Sequence, residues 1–128
     1  MTETPNGALQ GIKVLDLTTL LPGPLATLYL AEAGAEILKI ERPGGEDLRR
    51  YPPFVEGRSV TFEILNRGKR FRELDLKTGP GLDEFQRLVG ETDILVEQFR
   101  PGVMARLGLD YDALAKLNPG LIMCSISG

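Results

Sequence analysis

The sequence predicts an α/β fold, a Rossmann-like, mostly parallel sheet with flanking helices, carried by a single domain over residues 1–128. Three observations lead there. Short aliphatic runs of strand length alternate with stretches at helical spacing. The first strand, helix and strand fit within about 30 residues, the size of a right-handed crossover unit whose two strands lie parallel. Glycine and proline fall between the runs, where turns belong.

The first strand is Lys13 to Leu17, aliphatic and followed by the turn-forming Pro22-Gly23-Pro24. From Pro24 to Ala33, Leu25, Leu28, Tyr29 and Leu30 recur at helical spacing, and Gly34 stands where a helix stops. Glu36 to Ile40 forms the second strand, ended by Glu41-Arg42-Pro43-Gly44-Gly45. Residues 46–60, with Pro52 and Pro53 at their middle and no period, read as a long loop. Val60 to Leu65 is a short element of either type. Arg72 to Leu76 reads as a strand, and Gly81 to Val89 as a helix with Leu82, Phe85, Leu88 and Val89 on one face. Asp93 to Glu97 is the next strand, broken by Pro101 and Gly102; short helices near Val103–Leu107 and Tyr111–Leu117 follow, and Leu121 to Ile126 is the last strand. No repeat or low-complexity tract is present.

With 42% hydrophobic and 26% charged residues, the composition is that of an ordinary globule, and the 15 Gly and 9 Pro foretell much loop. No apolar run approaches the roughly 20 residues that cross a bilayer, and the opening MTETPNG has neither the basic end nor the apolar stretch of an export signal, so the expectation is a cytoplasmic protein with no membrane partner. The absence of histidine excludes imidazole chemistry, and a lone cysteine, Cys124, excludes an internal disulfide and Cys/His metal ligation, so no metal is expected. Cys124, in an aliphatic run, reads as a small buried hydrophobe. A net charge of −3 argues against nucleic acid as a partner. The charge is uneven, however. Between Arg42 and Arg72 lie eight of the 15 basic residues against four acids, which suits either a solvated cationic surface or a site for a small polyanion.

A sheet of this kind binds ligands outside the carboxyl ends of its strands, which nominates Thr18–Gly23, Glu41–Gly45, Gln98–Gly102 and the end of the chain. Thr18–Gly23 has one glycine where a dinucleotide fingerprint needs three, which argues against NAD, and no Walker A pattern is present. Glu41 reads as a solvated strand end or a ribose acceptor. Asn66-Arg67-Gly68-Lys69-Arg70 places three cations around a glycine, an arrangement suited to a diphosphate, and Arg100 and Arg106 flank another turn. Asp16 and Asp75 read as turn caps, since neither has a base or metal partner in the sequence.

Taken in order, ALQGIKVLDL, LPGP, GAEILKIERPGG, LNRGKR, LDLK, DILVEQFRPGVMARLGL, LNPGLI and SISG resemble the amino-terminal part of the family III coenzyme A transferases of the CaiB/BaiF type, which include formyl-CoA and carnitine-CoA transferases and α-methylacyl-CoA racemases. The resemblance runs from Ala8 to Gly128 and is thinnest over 46–63. It implies a Rossmann-like domain, incomplete relative to the family, that binds coenzyme A or an acyl-CoA thioester as substrate. In full-length members two chains interlock, so a homodimer or a second chain completes the molecule. The coenzyme contacts it implies are Leu21, Pro22, Arg42, Leu74, Asp75, Leu76, Lys77, Gln98, Phe99, Arg100 and Arg106. Gln98 stands where many relatives have asparagine, and Thr19 where formyl-CoA transferase has histidine.

The family's nucleophilic aspartate, and the racemases' histidine and aspartate, lie beyond the SISG segment, so the resemblance assigns no catalytic residue to these 128 positions. Three functions follow as expectations. One is the coenzyme-binding part of an enzyme that moves CoA between a thioester and a carboxylic acid, inactive as this chain alone. The others are a fragment of the racemase branch and a non-catalytic binding or interaction module.

Overall fold

The computed structural model describes residues 7–127, so the readings of the opening residues before Gly7 and of Gly128 lie outside it. Five strands, β1 (Lys13–Asp16), β2 (Glu36–Glu41), β5 (Arg70–Glu73), β6 (Ile94–Glu97) and β7 (Ile122–Ser125), form one sheet in the order β5-β2-β1-β6-β7. Every pairing in it is parallel. In chain order along this sheet, the third, second and first strands are followed by the fourth and fifth, which is the order of a doubly wound nucleotide-binding sheet. A second, two-stranded antiparallel sheet pairs β3 (Phe54–Val55) with β4 (Arg58–Ser59).

The alternation of side chains along each strand sorts the core into two faces. Leu15, Leu17, Ile40 and Leu95 point to one side, where Phe85, Leu88 and Val89 of α3 (Gly79–Val89), Met104 of α4 (Val103–Arg106) and Leu114 of α5 (Tyr111–Leu117) cover them. Val14, Ile37 and Val96 point to the other, toward Leu30 and Ala31 of α1 (Pro22–Glu32). Beside α1, Leu48, Phe62 and Leu65 make a smaller cluster with Leu25; Phe62 and Leu65 belong to α2 (Val60–Leu65). Among the described residues no helix is long and apolar enough to cross a membrane.

Several elements depart from the sequence reading for local reasons. Residues 46–60 are not structureless: Asp47–Arg50 is a 3-10 helix, and the β3–β4 hairpin turns through Glu56 and Gly57, both at positive φ. The Pro52–Pro53 bond is cis. Val60–Leu65 is a helix because the Ser59 side chain caps it, accepting from the Phe62 N–H. The strand read as Arg72–Leu76 lies earlier, at Arg70–Glu73, because its partner β2 ends at Glu41 opposite Glu73; Leu74 to Leu76 then turn away from the sheet. Helix α3 begins two residues before the expected Gly81 because Thr78 caps it, its hydroxyl accepting from the Gly81 N–H. Cys124 is exposed rather than buried, because β7 is an edge strand and no described element covers its side chain.

Candidate functional site

The strand order reverses between β1 and β6, and the chain leaves both strands at the same edge of the sheet. A cleft of about 620 Å³ opens at these carboxyl ends. Its floor is Leu17, Thr18 and Thr19 after β1 and Ile40 and Glu41 at the end of β2. Arg42, Pro43, Glu46 and Asp47 form one wall, Leu74 to Lys77 after β5 another, and Phe99, Val103 and Leu107 close the apolar side.

Of the eleven residues nominated from the resemblance, Arg42, Leu74, Asp75, Leu76, Lys77 and Phe99 line this cleft. Arg42 at the mouth pairs with Asp47 and holds Gly45 O through its Nε. Asp75 accepts the Lys77 N–H (3.0 Å), a turn that swings Leu74 and Leu76 inward and leaves the Lys77 side chain exposed. Glu97 caps the next turn, accepting from the Phe99 N–H at 3.0 Å. Leu21, Pro22, Gln98, Arg100 and Arg106 do not line the cleft. Leu21 and Pro22 are exposed at the start of α1, and Arg100 and Arg106 are exposed around the Pro101-Gly102 turn. Gln98 instead supports the neighbouring helix, since its Oε1 accepts the Gly23 N–H (3.1 Å) at the start of α1, which lacks a side-chain cap of its own. Gly23 is required there, because a Cβ would lie 2.1 Å from that Oε1 and from Thr18 Cβ.

Three sequence readings are corrected here. Glu41 is not a solvated strand end. It is 4% exposed, and Arg49 grips both its oxygens at 2.8 and 2.5 Å while the Glu46 N–H donates to it. Burial pushes its carboxyl up, but the hydrogen bonds of Arg49 and Glu46 outweigh this and hold it below the ordinary value. Lys69 is not a phosphate ligand: its Nζ is buried and donates to Asp16 Oδ2 (3.2 Å), Pro24 O (3.0 Å) and Asn66 Oδ1 (2.8 Å). Burial lowers its pKa, against the pull of Asp16. Arg67, beside it, pairs with Glu32 of α1. Asp16 does cap a turn, taking the Thr18 N–H at 2.8 Å, but it also has the cationic partner the sequence failed to show.

The cleft residues that sequence reasoning missed are Leu17 and Ile40 at the strand ends, Glu46 and Asp47 from the stretch read as loop, and Val103 and Leu107 from the short helical stretch after Gly102. Asp47 followed by Arg49 and Arg50 is a legible acid-base cluster; the pair Val103 and Leu107 carries no signal apart from its spacing. Most acids at the cleft have partners: Arg49 on Glu41, Lys39 near Glu46, Arg42 on Asp47. Lys77, Arg100 and Arg106 form no ion pair among the described residues. The arrangement therefore offers an apolar slot with one cation on its wall, Lys77, that is unpaired among the described residues, suited to a flat or flexible ligand carrying phosphates. Among the described residues no group of Asp, Glu and Cys is placed to hold a metal ion.

A doubly wound parallel sheet with a cleft at its switch point defines the class of fold, one in which ligands are held at the carboxyl ends of the strands. The comparisons with known proteins narrow it. The family model described as CoA-transferase family III matches residues 9–128, and the chain belongs to that family. It is 47% identical to an acetyl-CoA:oxalate CoA-transferase of Acetobacter aceti, over 100% of this chain and 34% of the relative. It is 45% identical to a succinyl-CoA:mesaconate CoA-transferase of Haloarcula hispanica, over 95% of this chain and 32% of that protein. A crystal structure of a CAIB/BAIF family protein from Brucella suis superposes with a TM-score of 0.91 at 40% identity, covering 97% of this chain and 34% of the other. The chain thus spans about a third of the length of these relatives and corresponds to their amino-terminal part.

Proposed function

We propose that this chain is the coenzyme-binding part of an enzyme that moves CoA from an acyl-CoA thioester to a carboxylic acid, releasing the acyl group as its carboxylate. The observation that carries this reading is the cleft at the switch point, with Arg42 and Lys77 on its walls and apolar Leu74, Leu76 and Phe99 between them. In this reading Phe99 and Leu74 face the adenine, and Arg42, Lys77, Arg100 and Arg106 meet the phosphates. Leu21 and Pro22 then offer exposed apolar surface at the start of α1, and Gln98 acts by holding the Gly23 N–H there.

The activities named for the relatives, acetyl-CoA:oxalate, succinyl-CoA:mesaconate and succinate–glutarate transfer, all join a CoA donor to a carboxylic acid. They support transfer over racemisation. We assign no catalytic residue within residues 7–127 and propose that a longer or separate chain supplies the nucleophile, so the chain alone is expected not to exchange acyl groups above buffer background.

The test is a calorimetric titration of the folded chain with CoA at low and high salt. Saturable binding that weakens with salt is expected, because exposed phosphate contacts are screened. Replacing Lys77 and Arg100 together with alanine is expected to weaken it by at least about tenfold, the value of one charge-assisted hydrogen bond. Folded protein that takes up no CoA at either salt concentration would overturn the reading.

A further inference from the structure

Lys39 and Glu46 lie beneath the cleft wall at 0% and 2% side-chain exposure, with Nζ and Oε1 3.1 Å apart. Removing two charges from water is costly, and the mutual attraction of a buried pair repays that cost only when further hydrogen bonds satisfy both groups. Here the bonds that the pair makes all converge on the turn after β1. Lys39 Nζ donates to Thr18 O at 3.0 Å, and Glu46 Oε2 accepts the Leu20 N–H at 3.0 Å. Leu20 has φ +62°, a left-handed conformation that a residue with a Cβ rarely adopts without an external hold. Thr19, between the two tethered residues, lies on the cleft floor.

Glu46 is itself anchored from behind. Its N–H donates to Glu41 Oε2 (2.9 Å), Glu41 is gripped by Arg49, and the Arg49 guanidinium lies 4.0 Å from the Phe62 ring centre. Lys39 and Glu41 belong to β2 and Glu46 to the loop after it, so the brace couples the ends of β1 and β2, the strands that supply the cleft floor. Glu46 contributes to the cleft wall, but at 2% exposure its carboxylate is turned inward, Oε1 toward Lys39 Nζ and Oε2 toward the Leu20 N–H, so its influence passes through the turn.

We infer that Glu46 is a positioning residue of the coenzyme site: its Oε2 holds the Thr18–Leu20 turn in the left-handed form that places Thr19 on the cleft floor. The inference rests on the coenzyme reading above, and its test separates the two. Amide hydrogen exchange at Leu20 and calorimetric CoA binding would be measured on the chain and on its Glu46→Asp and Glu46→Gln variants. Aspartate keeps the negative charge near Lys39 but, one methylene shorter, no longer reaches the Leu20 N–H; glutamine keeps the length and an acceptor for that N–H but gives up the charge and turns its amide NH2 toward the Lys39 ammonium. If Glu46 positions the turn, Glu46→Asp speeds exchange at Leu20 by about tenfold or more, leaves the β1 and α3 amides unchanged and weakens CoA binding by a similar factor, while Glu46→Gln, which lowers overall stability by leaving Lys39 without its carboxylate, changes both by less than Glu46→Asp. The reverse ranking, which a purely electrostatic role beside Lys39 would give, overturns the inference, as does faster Leu20 exchange with unaltered CoA affinity. No CoA binding by the folded parent overturns the coenzyme reading and the positioning role with it; Leu20 exchange then still reports whether Glu46 holds the turn.

Discussion

At the scale of residues, the polar groups buried under α1 are the main structural cost and the main source of specificity. Asp16 takes the Thr18 N–H, the Thr18 and Thr27 hydroxyls and Lys69, and Lys69 directs its remaining donors to Pro24 O and Asn66. Each charge is covered only while the other is present. Lys69→Met should therefore lower stability by about 3–5 kcal/mol, read as a fall in the urea midpoint at unchanged slope. The double variant Asp16→Asn with Lys69→Met should lose less than the two single losses added, because neither half is then left alone. Additive losses would show that the two groups do not depend on one another. The sequence marks Asp16 as a turn cap and hides its partner, which arrives from 53 positions away. The same distance misassigns Lys69: three cations around a glycine look alike whether they face phosphate or a buried aspartate.

At the scale of elements, the entry into α1 is the joint between fold and site. The helix has no capping side chain of its own, its first donor is satisfied by Gln98 from the end of β6, and Gly23 allows that close approach. Gly23→Ala should cost about 1–3 kcal/mol, since its Cβ would have to displace Gln98 and Thr18. Gly79 at the start of α3 is the control, because a Cβ there meets nothing within 4 Å. Gly79→Ala should be neutral or stabilise by about 0.4–1 kcal/mol. Paired denaturation curves check both, and equal losses at the two glycines would refute the steric account. Helical spacing starts α1 two residues late, at Pro24 instead of Pro22, because the cap comes from another element and leaves no local mark. A local cap marks the boundary of α5, where Asp110 accepts the Ala113 N–H and the helix runs over Tyr111–Leu117 as expected, whereas the equally local Thr78 caps α3 two residues before the Gly81 that spacing marks.

Across the molecule as a whole, a ligand seated over the switch point ties β1, β2, β5 and β6 together and favours the folded state by mass action. At a CoA concentration about a hundredfold above its dissociation constant, the gain is about 2.7 kcal/mol, which for a chain of this size raises the unfolding midpoint by roughly 10 °C. A thermal scan with and without CoA checks this, and an unmoved midpoint at saturating CoA would contradict binding to the native state. The size of the shift should fall with added salt in step with the affinity.

The layered α/β architecture, the succession of elements and the family are all legible in the chain, because strand and helix periodicity and the order of glycine- and proline-bearing motifs are local properties. The ends of β1, β2 and β6 are marked there too as places for a ligand, and that is where the cleft lies. Which charges are free is settled by the fold alone. Glu41 and Lys69 look available in the sequence but are consumed by Arg49 and Asp16, whereas Lys77 and Arg100 remain unpaired among the described residues. Likewise β5 ends at Glu73 because its partner ends there, and Leu74 and Leu76 thereby become cleft wall instead of strand. One cause is common to these cases: periodicity is set by neighbours within a few residues, while the state of a charge and the length of a paired strand are set by whatever the fold brings against them from far along the chain.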